Sequence, residues 1–134
     1  MANSSGFKRG DDFPNEGFIQ KSIENYFSKL GYDKLNEKYV DYVALHPISK
    51  ERWVIEAKGE SKAIGTDFNT CIGQIIKRMD LRDAKYAIAI PETNQYLIQI
   101  KSIKPWVRNV LQLHWILVNS DGDVKIIAPN DEVI

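Results

Sequence analysis

The sequence predicts an α/β domain of three layers, a mixed sheet with helices on both faces. Three observations carry this expectation. Ile19, Ile23, Tyr26, Phe27 and Leu30 repeat at the 3–4 spacing of one buried helix stripe. The run Lys85-Tyr86-Ala87-Ile88-Ala89-Ile90 is almost continuously apolar, as a central strand covered on both sides requires. Between and after them the pattern reads helix, three strands, helix, strand, then helix and hairpin.

The elements follow in order. Residues 1–13 are polar and are expected to be a mobile lead-in. The first helix is expected over 15–30, with Gly31 as its stop and Lys29 in the last turn. A short strand is expected over 32–36. Residues 39–45 are rich in β-branched and aromatic side chains and predict a strand. Residues 46–51 read as a loop, and 52–58 as the returning strand ended by Gly59. A second helix is expected over 67–81, its stripe made of Phe68, Cys71, Ile72, Ile75, Ile76 and Met79. Pro91 should stop the strand at 85–90. A third helix is expected within 94–110, interrupted by Pro105. The pattern ends with a strand at 113–118, a turn at Ser120-Asp121-Gly122-Asp123, and a strand at 124–128.

A length of 134 residues suits one domain, 1–134. Apolar residues are 43% and charged residues 27%, which excludes a disordered or low-complexity chain. No window approaches the ~18 apolar residues of a membrane span, and the first residues lack the apolar core of a secretion signal. A single cysteine, Cys71, excludes a disulfide framework and a Cys-based zinc cluster. The expectation is a cytoplasmic protein with no membrane partner. Lys and Arg number 18, as do Asp and Glu, so the chain is not a simple polyanion-coating protein. Any basic face is local: 58–85 holds six bases and four acids.

Three charged residues stand out against strand chemistry. Asp, Glu and Lys are depleted in strands, yet Asp41, Glu56 and Lys58 sit in two predicted ones. Alternation puts Val54, Glu56 and Lys58 on one face and Trp53, Ile55 and Ala57 on the other. A loop at 46–51 pairs Leu45 with Arg52, Ala44 with Trp53 and Val43 with Val54, and so sets Asp41 opposite Glu56. Like charges opposite one another are unfavourable. One relief is an ion pair with Lys58. The other is a divalent cation between the two carboxylates, with the Ala57 backbone carbonyl as a further ligand. Lys58 would then position or deprotonate an attacking water, or stabilise charge on a phosphate.

Asp41, followed by Glu56-Ala57-Lys58 at a strand end, resembles the signature of the PD-(D/E)xK nuclease superfamily, which includes Mrr-like proteins and Holliday junction resolvases. The element order over 15–91 matches that superfamily's core. The resemblance implies a restriction endonuclease-like fold and Mg²⁺-dependent hydrolysis of DNA, with Mn²⁺ as a substitute. It implies Asp41 and Glu56 as metal ligands and Lys58 as the active-site lysine. Val40 replaces the proline of the name. Gln20 stands where the first helix often carries a glutamate, and its carbonyl could orient a metal-bound water. Glu16 is the substitute acid, with Glu24 behind it. Gln74, in Gly73-Gln74, resembles a site residue of some members, although the periodicity places it on an exposed face.

Lys62, Lys77, Arg78 and Arg82 are the candidate backbone-binding residues. Cutting both strands would favour a homodimer, and the chain could serve in a larger defence or repair system. The alternative is a nuclease fold acting as a non-catalytic DNA- or protein-binding module. His46 and His114 read as loop and strand residues, and Cys71 as core. Trp53 is expected under the flanking helix. Trp106 is expected to pack on the sheet, with stacking on a base as the functional alternative.

Overall fold

The computed structural model describes residues 10–38 and 40–133. Of the expected lead-in, residues 1–9 lie outside the described residues. Within 10–15 the chain is tied down: the Asn15 N–H donates to the Asp12 carbonyl, and Asp11 pairs with Lys21.

Six strands form one mixed sheet in sequence order. They are β1 (Asp33–Leu35), β2 (Tyr42–Leu45), β3 (Arg52–Ala57), β4 (Lys85–Pro91), β5 (Leu113–Val118) and β6 (Val124–Ile127). β3, β4 and β5 run parallel, and the β1–β2, β2–β3 and β5–β6 pairs are antiparallel. Helix α1 (Glu16–Lys29) covers one face. Helices α2 (Ile64–Lys77), α3 (Asn94–Lys101) and α4 (Pro105–Leu111) follow the strands, and the apolar side chains of α2 and α3 fill the other face. The three-layer α/β architecture and the α-β-β-β-α-β order are those expected from the sequence.

Each layer follows from its residues. Ile19, Ile23 and Phe27 of α1 are buried on Tyr42, Trp53 and Ile55. Phe27 meets Trp53 at a ring distance of 5.5 Å, which places Trp53 under the flanking helix. The helix ends in a Schellman motif. The Gly31 N–H donates to the Ser28 carbonyl and the Tyr32 N–H to the Phe27 carbonyl. Gly31 adopts φ +92°, a left-handed conformation that a side chain would strain. On the other face Phe68, Cys71 and Ile75 of α2 pack against Ile88, Tyr96 and Trp115.

The β2–β3 register is the one counted from the loop: Leu45–Arg52, Ala44–Trp53 and Val43–Val54. Several ends shift by a residue, and four differences have a local physical reason. The strand expected at 39–45 begins at Tyr42, and Tyr39 lies outside the described residues. The ladder stops there because the Asp41 side chain, not a backbone carbonyl, accepts the next N–H, that of Ala57. The second helix spans Ile64–Lys77 rather than 67–81. Bonds from Arg78 to Ile75 and from Met79 to Ile76 tighten its end, so Ile76 is exposed and Met79 lies beyond the cap. Pro91 is the last residue of β4, not the residue after it. The third helix divides in two, and Pro105 opens α4, where its missing N–H has no helical partner to lose.

One close approach joins the two ends of the site. Gly59, just past β3, lies against the start of α1. A Cβ there would stand 2.2 Å from the Glu16 backbone nitrogen. The Glu60 N–H donates to the Pro14 carbonyl at 2.8 Å and closes the same contact. Gly59→Ala should therefore force α1 away from β3 and cost about 1–3 kcal/mol. A urea-unfolding midpoint equal to the parent's would show that this contact does not hold the helix.

Candidate functional site

The site forms where the chain enters β2 and leaves β3. The two carboxylates are held by reciprocal hydrogen bonds to backbone. Asp41 Oδ2 accepts from the Ala57 N–H at 2.8 Å, and Glu56 Oε2 accepts from the Asp41 N–H at 3.2 Å. Thus Asp41 and Glu56 are neighbours across the β2–β3 pair, as the register requires. Within a strand the N–H and C=O of one residue point the same way, so the Ala57 carbonyl also faces Asp41. Lys58 is half-buried, and its N–H continues the ladder to the Ala89 carbonyl at 2.9 Å.

The environments of the two acids differ. Glu56 is 4% exposed, on the α2 face of the sheet, whereas Asp41 is exposed. Burial, and then the Asp41 charge, push the Glu56 carboxyl up to about 7. The hydrogen bond from the Asp41 N–H and the charges of Arg78 and Lys58 oppose that rise without cancelling it. Among the described residues no ion pair within 4 Å joins Lys58 to either acid, although the charges of Arg78 and Lys58 act on Glu56. Ion pairs among the described residues join Lys21 to Asp11, Lys34 to Glu24, Arg52 to Glu37, Lys85 to Glu51 and Lys125 to Glu92.

Helix α1 supplies the opposite wall. Glu16, Gly17, Gln20 and Asp41 line an open cleft of about 330 Å³. Gln20 Nε2 donates to Glu16 Oε2 at 3.4 Å. Glu24 lies elsewhere, paired with Lys34 at 3.0 Å. A larger cleft of about 500 Å³ lies between α1 and the β5–β6 turn and contains none of the motif residues. Among the described residues no three His, Cys, Asp or Glu side chains stand close enough together to form a metal cage. The oxygen donors present are a pair, Asp41 and Glu56, with Glu16 across the cleft.

The basic candidates are dispersed. Lys62 is exposed in the loop between β3 and α2, on the side of Lys58. Lys77 closes α2, a helix about 21 Å long, and Arg82 lies past that far end; both are exposed. Arg78 is half-buried and acts on Glu56 through its charge. Gln74 is half-buried, not exposed as its periodicity suggested.

Two site-forming residues escaped the sequence reading. Gly59 was legible only as a strand stop, and Tyr96 as one apolar position of a helix. The buried Tyr96 hydroxyl donates to the Gly59 carbonyl at 2.7 Å and fixes the turn after Lys58. The bland readings of other residues fit. His46 Nδ1 accepts from the Ile48 and Ser49 N–H groups, and buried His114 contacts the Tyr86 carbonyl. Cys71 is wholly buried, which pushes its thiol up and leaves it unreactive. Trp106 does not pack on the sheet: it is 71% exposed.

The Glu56 carboxyl generates a pH prediction. Its folded-state value, about 7, lies above its usual 4.5. Its contribution to stability is therefore full below about pH 4.5 and is lost as pH rises through about 7. The loss is about 3 kcal/mol. His114, held low by burial, works in the opposite sense, so the comparison with Glu56→Gln isolates the term. In EDTA, Glu56→Gln should gain on the parent by about 3 kcal/mol between pH 4.5 and 8. A constant difference across that range in denaturant titrations would refute the perturbed carboxyl.

No family model matches the chain, and no curated protein matches it. Solved structures similar to it include the following two. One is an XisH family protein from Nostoc punctiforme PCC 73102, with TM-score 0.59 and 16% identity over 81% of this chain and 98% of that one. The other is an fdxN element excision controlling factor protein from Anabaena variabilis, with TM-score 0.59 and 15% identity over 83% of this chain and 98% of that one. At such identities the likeness establishes a shared α/β fold across nearly the whole length of those proteins.

Proposed function

We propose that this chain is a metal-dependent nuclease of the PD-(D/E)xK type that hydrolyses DNA phosphodiester bonds. The observation that carries the reading is the pairing of Asp41 with Glu56 by reciprocal backbone hydrogen bonds, with Lys58 next in line on the same strand. Asp41, Glu56 and the Ala57 carbonyl are hard oxygen donors of the kind Mg²⁺ or Mn²⁺ takes, and Glu16 is a weaker addition. The raised Glu56 carboxyl fits this role, since a cation would replace the proton that an empty pair of acids retains. When bound, the ion would supply Lewis-acid stabilisation of the phosphate.

The chain's own groups have distinct tasks. The Lys58 ammonium stabilises negative charge developing on the phosphoryl oxygens. The Gln20 carbonyl accepts a hydrogen bond from the attacking water and orients it. Water oxygen bonds to phosphorus and gives up a proton to solvent, the bond to the leaving nucleoside oxygen breaks, and that oxygen takes a proton from solvent. Lys62 holds the phosphate backbone nearest the site, and Lys77, Arg78 and Arg82 act further along α2. One chain offers one such site, so cleavage of both strands calls for a homodimer. One protein of the same fold is described as controlling element excision. A DNA substrate, and service within a larger defence or repair system, accord with that description.

A second reading is a non-catalytic binding module in the cytoplasm. It is favoured by Gln20 in place of an acid and by the lack of a three-acid cluster among the described residues.

The test is cleavage of supercoiled plasmid, a single-stranded circle and a branched junction with Mg²⁺ and with Mn²⁺. Lys58→Ala and Asp41→Ala should each lower the rate by about 10²–10⁴-fold. Absence of cutting, together with no Mg²⁺ or Mn²⁺ uptake by calorimetry, would select the binding module.

A further inference from the structure

We infer that the cleft beside the β1–β2 connection holds the phosphate next to the one being cut, with Lys38 as its cation and Asn36 as its amide donor. The inference deepens the nuclease reading above and rests on it for the class of ligand, a polynucleotide strand.

Two clefts meet at Asp41. One is the α1-side cleft lined by Glu16, Gly17, Gln20 and Asp41. The other, of about 320 Å³, is lined by residues 34–38, Val40 and Asp41. Asp41 is the residue they share, so the second cleft adjoins the carboxylate pair. It lies at the edge of the sheet, where the chain turns from the outermost strand β1 into β2.

The charges of that second cleft are not equivalent. Lys34 pairs with Glu24 at 3.0 Å, and Glu37 with Arg52 at 2.8 Å. Both partners come from outside the cleft, so one of its cations and its glutamate are already satisfied. Lys38 is exposed and makes no hydrogen bond or ion pair among the described residues. The exposed Asn36 amide is likewise unengaged among them. The donors left beside Asp41 are thus an ammonium and a side-chain amide. The α1-side cleft has the opposite character. Among the described residues it is lined by two acids, a glutamine and a glycine, with no base. A polynucleotide carries a phosphate at every step, so a strand cut at Asp41 must set a phosphate on each side of the cut. Toward Glu16 that phosphate meets a like charge. Toward Lys38 it meets an ammonium and an amide, both of which bond phosphate oxygens. The charge distribution sends the strand away from the cut along the β1–β2 connection.

Position separates Lys38 from the bases nominated by sequence. Lys77 and Arg82 stand at or beyond the far end of α2, and Lys62 is in the loop after β3. Lys38 shares its cleft with Asp41 itself. The substrate must then supply a phosphate on the Lys38 side of the cut. An interior bond of a polynucleotide does so, and an isolated phosphodiester does not.

The experiment measures binding without cleavage. In EDTA, a fluorescein-labelled DNA duplex is titrated at several salt concentrations and followed by anisotropy. Lys38→Ala should weaken binding roughly 3–10-fold near about 0.1 M salt and lower the salt slope by about 0.9, as loss of one phosphate contact requires. Lys38→Arg should keep the parent slope. Asn36→Ala should weaken binding roughly 2–10-fold at unchanged slope, because a neutral amide displaces no counterion. Lys101→Ala removes an exposed lysine that lines a separate cleft, and it should match the parent. An equal loss in Lys101→Ala would show that only net charge is read, and would overturn the inference. Parent affinity and slope in Lys38→Ala would overturn it too, even if the parent cuts DNA. A parent that binds no duplex would overturn both this inference and the nuclease reading. A parent whose binding depends on Lys38 but which never cuts would defeat the nuclease reading alone and leave the phosphate subsite standing.

Discussion

The candidate site depends on a single steric constraint, the absence of a side chain at Gly59. Only a bare Cα lets the turn after β3 lie on the backbone of Glu16. That approach brings the first turn of α1, with Glu16 and Gln20, over the strand ends that carry Asp41, Glu56 and Lys58. The Glu60–Pro14 hydrogen bond and the Tyr96 hydroxyl on the Gly59 carbonyl hold it from two further directions. Residues from α1, β3 and α3 therefore meet at one turn, and the burial of both sheet faces keeps those elements in place.

Within that frame the chemistry is set by unequal solvation of two acids. Asp41 meets water, and its side chain accepts from the Ala57 N–H. Glu56 faces the packed side of the sheet, where charge is costly. The backbone N–H groups of Asp41 and Ala57 hold both carboxylates at fixed positions, so their repulsion cannot be relieved by turning apart. Burial, with the Asp41 charge behind it, raises the Glu56 carboxyl to about 7. Glu56 is thus a buried carboxyl raised toward neutrality beside an exposed acid.

The same separation of structural from accessible charge recurs in α4. Arg108 and Trp106 are two residues apart, yet the first is buried in a network that anchors the C-terminal segment and the second projects outward. Sequence proximity to a basic residue thus said little about Trp106. Helical geometry turns residues two apart to different sides, and the side facing Trp115 was already filled by the guanidinium.

Much of the fold was legible because its signals are local. The stripe of α1, the apolar run of β4, the Gly31 stop and the loop-counted β2–β3 register each follow from periodicity or turn chemistry over a few residues. The pairing of Asp41 with Glu56 followed from that register. What remained hidden depended on contacts between distant segments. The start of β2 was decided by a side chain that takes the place of a backbone acceptor. The end of α2 was decided by which isoleucines found a neighbour. The nearness of Glu16 to the strand acids was decided by Gly59, and the exposure of Trp106 by the prior claim of Arg108 on the core. A sequence states which side chains want burial or charge partners. Only the packed chain decides which of them obtain one, because burial is a property shared among residues far apart in sequence.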